Sequence, residues 1–391
     1  MDLTLMPCHL RGNLSAIPSK SQAHRLLICG AFANAPTKLI CPDTNEDIEA
    51  TADCLRALGC VISREEDGYT VIPVEKCPKT ADLYCRESGS TLRFLLPIAG
   101  ALGVNATFHM EGRLPQRPLS PLWEEMVRMG CQLSYSTENT LCCTGKLKSG
   151  SYYIDGGVSS QFITGLLFAL SLMEEESTLE ITGNIESLPY IQMTQDCLGL
   201  FGVNWEILGK QTFRSPGAIT VEGDWSNAAF FLAANALGHD VRLSNLNSLS
   251  PQGDREIIKL LPLLENGCPT IDAANIPDLV PILAVVAGAK HGAIFTHIGR
   301  LRLKETDRVT TVCAMLHALG ASTQVTQQTL QVFPGSYHSC TIDASGDHRI
   351  AMSAAIAATI ASGPVTVLGA DAVKKSYPKF WEDYRQLGGT L

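Results

Sequence analysis

Six stretches of the chain share one arrangement of apolar and polar positions, an amphipathic helix that ends at a glycine. The helix ends read Leu55-Arg56-Ala57-Leu58-Gly59, Met126-Val127-Arg128-Met129-Gly130, Cys197-Leu198-Gly199-Leu200-Phe201-Gly202, Leu263-Leu264-Glu265-Asn266-Gly267, Leu316-His317-Ala318-Leu319-Gly320 and Tyr384-Arg385-Gln386-Leu387-Gly388. Glycine at that place predicts a left-handed cap, because it lacks the Cβ that penalises the conformation. Runs with β-like alternation follow several caps: Val61-Ile62-Ser63, Gln132-Leu133-Ser134-Tyr135 and Val203-Asn204-Trp205-Glu206-Ile207. Successive caps lie roughly 50 to 70 residues apart, longer than solenoid repeats of about 20–50, so each unit has room for two helices and several strands. Three units fall before Gly223 and three after it, which predicts two lobes of three copies each. An unrelated run of α/β elements would also show glycine caps. Val221-Glu222-Gly223-Asp224-Trp225-Ser226 fits a boundary, ending a strand and capping the next helix with Asp224. The expected lobes are therefore residues 1–15 with 224–391, and residues 16–223.

Seven short basic and hydroxyl-rich clusters, most placed to open a helix, interrupt this pattern. They are Lys20-Ser21…Arg25, Ser88-Gly89-Ser90-Thr91-Leu92-Arg93, Arg113…Arg117, Ser159-Ser160-Gln161, Lys304-Glu305-Thr306-Asp307-Arg308, Asp347-His348-Arg349 and Lys374-Lys375. A helix start presents unpaired N–H groups and partial positive charge, so such residues there build an anion site. Taken singly, each cluster reads equally well as a solvated charge pattern. Their recurrence points to a cleft for small substrates carrying several negative charges. In the first, Ser21 and Arg25 lie one turn apart on one face, with Leu26, Leu27 and Gly30 supplying the packing side. In the second, Gly89 lets backbone N–H groups approach an anion closely.

Composition narrows the partners. A net charge of −9 argues against nucleic acid, which would want a basic face. The uncharged stretch from Ile350 to Ala370 is rich in Ala, Ser, Gly and Thr and contains Gly363-Pro364. It reads as a buried helix, a turn and the strand Val365-Thr366-Val367-Leu368, not as a membrane span. Fourteen cysteines include no C-x-x-C pair, and no secretory signal opens the chain, so a reducing cytoplasm is expected. The histidines have no zinc spacing, and there is no Walker loop and no G-x-G-x-x-G after a strand, so no metal and no cofactor is expected.

With all clusters in view, the chain closely resembles the 5-enolpyruvylshikimate-3-phosphate (EPSP) synthases, the phosphoenolpyruvate-dependent transferases of the shikimate pathway. The resemblance covers nearly the whole length. Its most specific pieces are Lys304-Glu305-Thr306-Asp307-Arg308, Asp347-His348-Arg349 with Ala351-Met352, and Val158-Ser159-Ser160-Gln161-Phe162. Gly112-Arg113…Arg117-Pro118, Ile276-Pro277-Asp278 and Lys375-Ser376-Tyr377-Pro378 support it in the same order. The implied fold is a mixed α/β, two-lobed enolpyruvyl transferase architecture, each lobe three βαβαββ-like units with helices directed at an inter-lobe cleft.

The resemblance also implies site residues. Lys20, Ser21, Arg25, Ser159, Ser160, Gln161, Ser187 and Tyr190 match shikimate 3-phosphate segments, with Asp278 and Lys304 beside that substrate. Lys20, Gly89, Arg117, Gln161, Arg308, Arg349 and Lys375 match the phosphoenolpyruvate pocket. Asp278 matches the base toward the attacking hydroxyl, and Glu305 the proton donor and acceptor at C3. Lys20 is expected to share the proton traffic. Glu87 and Arg300 depart from the family pattern, where many members carry Asn at both places.

Plainer readings stand beside these. Asp278 opens an apolar helix and reads as an ordinary N-cap; Glu305 reads as a surface partner of Lys304. Asp347 is expected to cap its helix, Asp307 to cap or orient Arg308, and His24 and His348 to be structural. Two rivals compete with the whole reading. A UDP-N-acetylglucosamine enolpyruvyl transferase commonly carries a reactive cysteine before the corresponding Arg-Pro, but the loop here reads Gly112-Arg113-Leu114-Pro115-Gln116-Arg117-Pro118. A noncatalytic anion-binding protein would have no need of Asp278 and Glu305. The expected partners are two small-molecule substrates, shikimate 3-phosphate and phosphoenolpyruvate, acting on a monomer.

Overall fold

Two stretches of chain, Met1–Ile17 and Gly223–Leu391, build one unit, and the segment between them, Pro18–Glu222, builds another. The computed structural model describes all residues, Met1–Leu391. The chain passes from the terminal unit to the inserted unit after Ile17 and returns after Glu222, where the sequence placed boundaries after residues 15 and 223.

The terminal unit begins with β1 (Leu3–Leu5) and β2 (Arg11–Ser15). The inserted unit then runs α1 (Lys20–Ala31), β3 (Thr37–Ile40), α2 (Glu46–Ala57), β4 (Val61–Glu65), β5 (Gly68–Ile72), β6 (Thr80–Arg86), α3 (Gly89–Leu102), β7 (Asn105–Met110), α4 (Leu122–Arg128), β8 (Cys131–Thr137), β9 (Thr140–Gly145), β10 (Ser151–Asp155), α5 (Ser160–Ser171), β11 (Thr178–Thr182), α6 (Leu188–Leu200) and β12 (Ala218–Thr220). The terminal unit resumes with α7 (Trp225–Ala236), β13 (Asp240–Ser244), α8 (Ile257–Asn266), β14 (Thr270–Asp272), α9 (Val280–Ala289), β15 (Ala293–Thr296), α10 (Arg308–Leu319), β16 (Ser322–Val325), β17 (Thr329–Phe333), β18 (Cys340–Asp343), α11 (His348–Ala358), β19 (Val365–Leu368) and α12 (Phe380–Gln386).

Each unit holds three sheets. Those of the inserted unit are β12-β3-β5-β4, β6-β7-β9-β8 and β10-β11; those of the terminal unit are β14-β15-β17-β16, β1-β19-β18 and β13-β2. Every four-stranded sheet repeats one pattern, a parallel pair extended by an antiparallel hairpin. The runs starting at β6 and β14 show the full β-α-β-α-β-β order. Two of the six repeats are thus complete in chain order, a third four-stranded sheet is completed by β12 from the far end of the inserted segment, and three repeats are shortened. One shortening overturns an expectation: Val203–Ile207 is not a strand. Asn204 Oδ1 accepts from Glu206 N at 3.1 Å, and the Gln211 side chain bonds Asn204 N at 3.2 Å and Ile207 O at 2.9 Å. These amides occupy backbone groups that a ladder would need.

Five of the expected glycine caps are left-handed, with φ of +103° at Gly59, +113° at Gly130, +70° at Gly202, +102° at Gly320 and +99° at Gly388. Gly267 is extended instead, at φ 169°. The last turn of α8 is closed by the Asn266 side chain, which donates to Pro262 O at 2.7 Å.

Helix placement sets up the site. α3, α5, α9 and α11 each follow the first strand of a parallel pair, so their N-termini lie at the carboxyl ends of β6, β10, β14 and β18. In the inserted unit α3 packs against both α1 and α5; in the terminal unit α7, α9 and α11 pack pairwise. α9 reads Val-Pro-Ile-Leu-Ala-Val-Val-Ala-Gly-Ala and is buried all round, as an apolar helix must be. Two of the clusters do not open helices. Arg113 and Arg117 flank a single 3-10 turn, Leu114–Gln116, held short by Pro115 and Pro118, and Lys375 closes the 3-10 segment Ala370–Lys375. No helix is long and apolar enough to cross a membrane.

Candidate active site

In the inserted unit the starts of α1, α3 and α5 bring two groups of predicted residues together. Lys20 Nζ pairs with Asp47 of α2 at 2.7 Å. Arg25 is 2% exposed and forms no ion pair: Nε donates to Thr194 Oγ1 at 2.8 Å, Nη1 to Ser21 O at 2.6 Å, and Nη2 to Tyr190 O at 2.9 Å and Thr164 Oγ1 at 3.4 Å. Burial lowers its pKa to about 10, and its guanidinium lies 5.0 Å over the Phe94 ring. The positive charge is therefore fixed in place and not neutralised by a carboxylate. Ser187, buried and left-handed at φ +57°, precedes α6, whose Tyr190 carbonyl receives that Arg25 bond.

The second group centres on Gly89. A Cβ there would lie 2.7 Å from a guanidinium nitrogen of Arg93 and 2.7 Å from one of Arg117, so only glycine lets both approach the helix start. Arg93 Nη1 donates to Gln161 Oε1 at 2.9 Å, Nη2 to Pro118 O at 3.0 Å, and Gln161 Nε2 reaches Ser90 Oγ at 3.0 Å. Ser159 caps α5 by accepting from Gln161 N at 3.3 Å, and Ser160 is buried beside it. The Arg117 Nε is buried with no acceptor. Two cations, a polar amide and a helix start thus surround one point, the composition of an anion pocket. Glu87 lies across Gly112, where its carboxylate would collide with any added Cβ.

The terminal unit is organised around Arg308, 1% exposed at the first turn of α10. Its Nε donates to Asp347 Oδ2 at 2.8 Å, Nη1 to Asp278 Oδ1, and Nη2 to Glu305 Oε2 at 2.6 Å. Lys304 lies 3.4 Å from Asp278, Arg349 Nε 3.5 Å from the same carboxylate, and Lys375 4.0 Å from Glu305. Arg349 also donates to Ser226 Oγ at 2.6 Å. Burial works against the Arg308 charge, but Asp347, Glu305 and Asp278 outweigh it and raise its pKa. Burial would push Asp278 up, yet Arg349, Lys304 and Arg308 hold it well below the usual carboxylate range. Lys304 is lowered to about 8 by burial, against the pull of Asp278. Asp254, which is buried near Asp278, is raised to about 6, also by burial.

Several expectations change here. Asp278 is not an N-cap: Leu279 holds that position in α9, and the Asp278 carboxylate is drawn to Arg308 instead. Glu305 is bonded to Arg308 and is not a surface partner of Lys304. Asp347 and Asp307 do cap α11 and α10. Sequence reading missed Asp47, Thr164, Thr194, Ser226 and Asp254. Each meets its partner through long-range packing, and no local motif marks it.

The EPSP synthase family model, described as 3-phosphoshikimate 1-carboxyvinyltransferase, matches residues 6–266 and 265–384. The chain belongs to the EPSP synthase family. Relatives named 3-phosphoshikimate 1-carboxyvinyltransferase include those of Clostridium kluyveri, 37% identical over 100% of this chain and 98% of its own, and Clostridioides difficile, 34% identical over 100% and 98%. Among solved structures, an EPSP synthase from Acinetobacter baumannii superposes with a TM-score of 0.79 over 99% of this chain and 98% of that one, at 24% identity. The enolpyruvyl transferase NikO from Streptomyces tendae does so with a TM-score of 0.75 over 100% and 98%, at 18% identity. These two similarities carry the fold. The full-length curated relatives carry the activity, that of a transferase of the shikimate pathway, and do not favour the nucleotide-sugar enzyme.

Proposed function

We propose that this EPSP synthase family member joins the enolpyruvyl group of phosphoenolpyruvate to the 5-hydroxyl of shikimate 3-phosphate with the following division of labour. Lys20, Ser21, Arg25, Ser159, Ser160, Gln161, Ser187 and Tyr190 hold shikimate 3-phosphate, and Lys304 adds a charge. Gly89, Arg117, Gln161, Arg308, Arg349, Lys375 and Lys20 receive phosphoenolpyruvate. The carrying observation is that Asp278 and Glu305 share one buried guanidinium while Lys304, Arg349 and Lys375 stand within 4.0 Å of them. A mere anion binder gains nothing from two carboxylates among its cations.

The hydroxyl attacks C2 while C3 gains a proton; the tetrahedral adduct then loses phosphate and a C3 proton. Asp278 is ionised and accepts the hydroxyl proton. Its cations make it a weak base in the free protein, and an anionic substrate that takes over Arg349 and Lys304 restores its basicity. Glu305 gives and recovers the proton at C3, and Lys20 assists. The arginines and Lys375 neutralise the carboxylate and the departing phosphate. A cytoplasmic monomer completes the proposal: fourteen cysteines that are all free thiols support the reducing compartment, and sedimentation of the purified protein tests the monomer.

Glu305→Gln is the decisive variant. Glutamine keeps shape and hydrogen bonding but cannot cycle a proton, so both substrates should still bind while turnover falls by at least about 10²-fold. Entry of solvent deuterium into the methylene of phosphoenolpyruvate reads the step directly. Parent-rate exchange in this variant would remove Glu305 from the proton-transfer role. Phosphate release with a nucleotide sugar as acceptor tests the rival.

A further inference from the structure

A buried chain of hydroxyls runs between α1, α2 and α3, and its direction can be read. Thr91 Oγ1 donates to Ser88 Oγ at 2.7 Å. That uses the only proton of Thr91, so its contact with Thr51 Oγ1, also 2.7 Å, must have Thr51 as donor. Thr51 is then spent in turn, and its 2.7 Å contact with His24 Nδ1 must be Nδ1–H donating to Thr51. Ser88 Oγ accepts both from Thr91 Oγ1 and from Thr91 N at 3.3 Å, which fills its two lone pairs, and it donates to no protein group, so its own proton has no acceptor. All four residues are at most 1% exposed.

We infer that the Ser88 hydroxyl donates to phosphoenolpyruvate, and that His24, acting through Thr51 and Thr91, is the positioning residue that aims it. Ser88 caps α3 immediately before Gly89, where the guanidinium nitrogens of Arg93 and Arg117 converge. A buried hydroxyl proton with nowhere to go is costly until an anion arrives at that point. Burial lowers the His24 pKa to about 3, so the ring is neutral and carries one proton at working pH. Its Nε2 is buried with no partner, which agrees with the proton residing on Nδ1. The inference rests on the placement of phosphoenolpyruvate at Gly89, and its tests separate the two.

Nitrogen NMR of the full chain labelled at histidine reads the tautomer without any substrate. His24 protonated on Nδ1 is expected; protonation on Nε2 overturns the chain's direction. In steady-state kinetics Ser88→Ala should raise KM for phosphoenolpyruvate about ten-fold or more, the scale of a hydrogen bond to a charged group. The KM for shikimate 3-phosphate and kcat should stay near parent, and Ser88→Thr should restore the parent value. His24→Phe, or Thr51→Val should that variant fail to fold, should reproduce the Ser88→Ala effect and add nothing to it in the double variant. Multiplying effects, or an unchanged KM in Ser88→Ala, overturn the inference. A parent protein that does not use phosphoenolpyruvate at all would instead overturn the functional reading and leave the tautomer result standing.

Discussion

At the scale of residues, two aspartates that look alike in sequence differ in what they hold. Asp347 and Asp307 both cap helices, but Asp347 is 0% exposed and bonds Arg308 and Thr306, whereas Asp307 meets Arg302 at a half-exposed 3.2 Å contact. Asparagine is an equally good cap, so Asp→Asn isolates the charge. Asp347→Asn should destabilise by about 1.5–3 kcal/mol, the scale of one lost charged hydrogen bond, since Asp278 and Glu305 still hold Arg308. Asp307→Asn should cost less than about 1 kcal/mol. Urea denaturation of the two variants measures the contrast. Lys304 supplies a pH test. Its pKa falls from the ordinary 10.5 to about 8, so the fold disfavours the charged form, and the stability tied to this group is present above 10.5 and lost as pH falls through 8. Anionic substrate prefers the protonated form, so affinity for shikimate 3-phosphate should fall as pH rises through about 8. Lys304→Arg stays charged and should flatten that limb in a calorimetric titration.

At the scale of elements, the glycine caps separate into two kinds that substitution can tell apart. An alanine at Gly320 needs φ +102°, with its Cβ 2.8 Å from Ser336 O and the His338 ring; at Gly267 the backbone is extended and nothing lies within 4 Å. Gly320→Ala should destabilise by more than about 1 kcal/mol and Gly267→Ala by less than about 0.5 kcal/mol, read from denaturation midpoints. What the sequence disclosed was short-range. Asp224, Asp307 and Asp347 bond N–H groups two or three residues on, and a pattern of neighbours reveals them. Asp278 misled because its winning partner, Arg308, is 30 residues away. Val203–Ile207 misled because Gln211, outside the apparent strand, captures its backbone. Likewise Lys20 showed its charge but not Asp47, 27 residues on, and Arg25 gave no sign of Thr164 or Thr194.

At the scale of the whole molecule, the inserted unit is one continuous segment with its own core, from Ala23 to Val221. The terminal unit draws Leu5, Leu10 and Leu14 into its core from the far end of the chain. A fragment spanning Pro18–Glu222 should therefore unfold cooperatively on its own by circular dichroism, while Gly223–Leu391 should do so only when a peptide of residues 1–17 is supplied. The same connectivity orders events on the ribosome. β1 and β2 are made before the strands they join, since Arg11 of β2 pairs with Asp240 of β13 and Thr4 of β1 with Thr366 of β19, 362 positions on. During most of synthesis these segments are unpaired strand edges, open to wrong partners. The cluster around Arg308 belongs to the unit that waits for them, so that cluster should form only after β19 has been made, however early the inserted unit has folded.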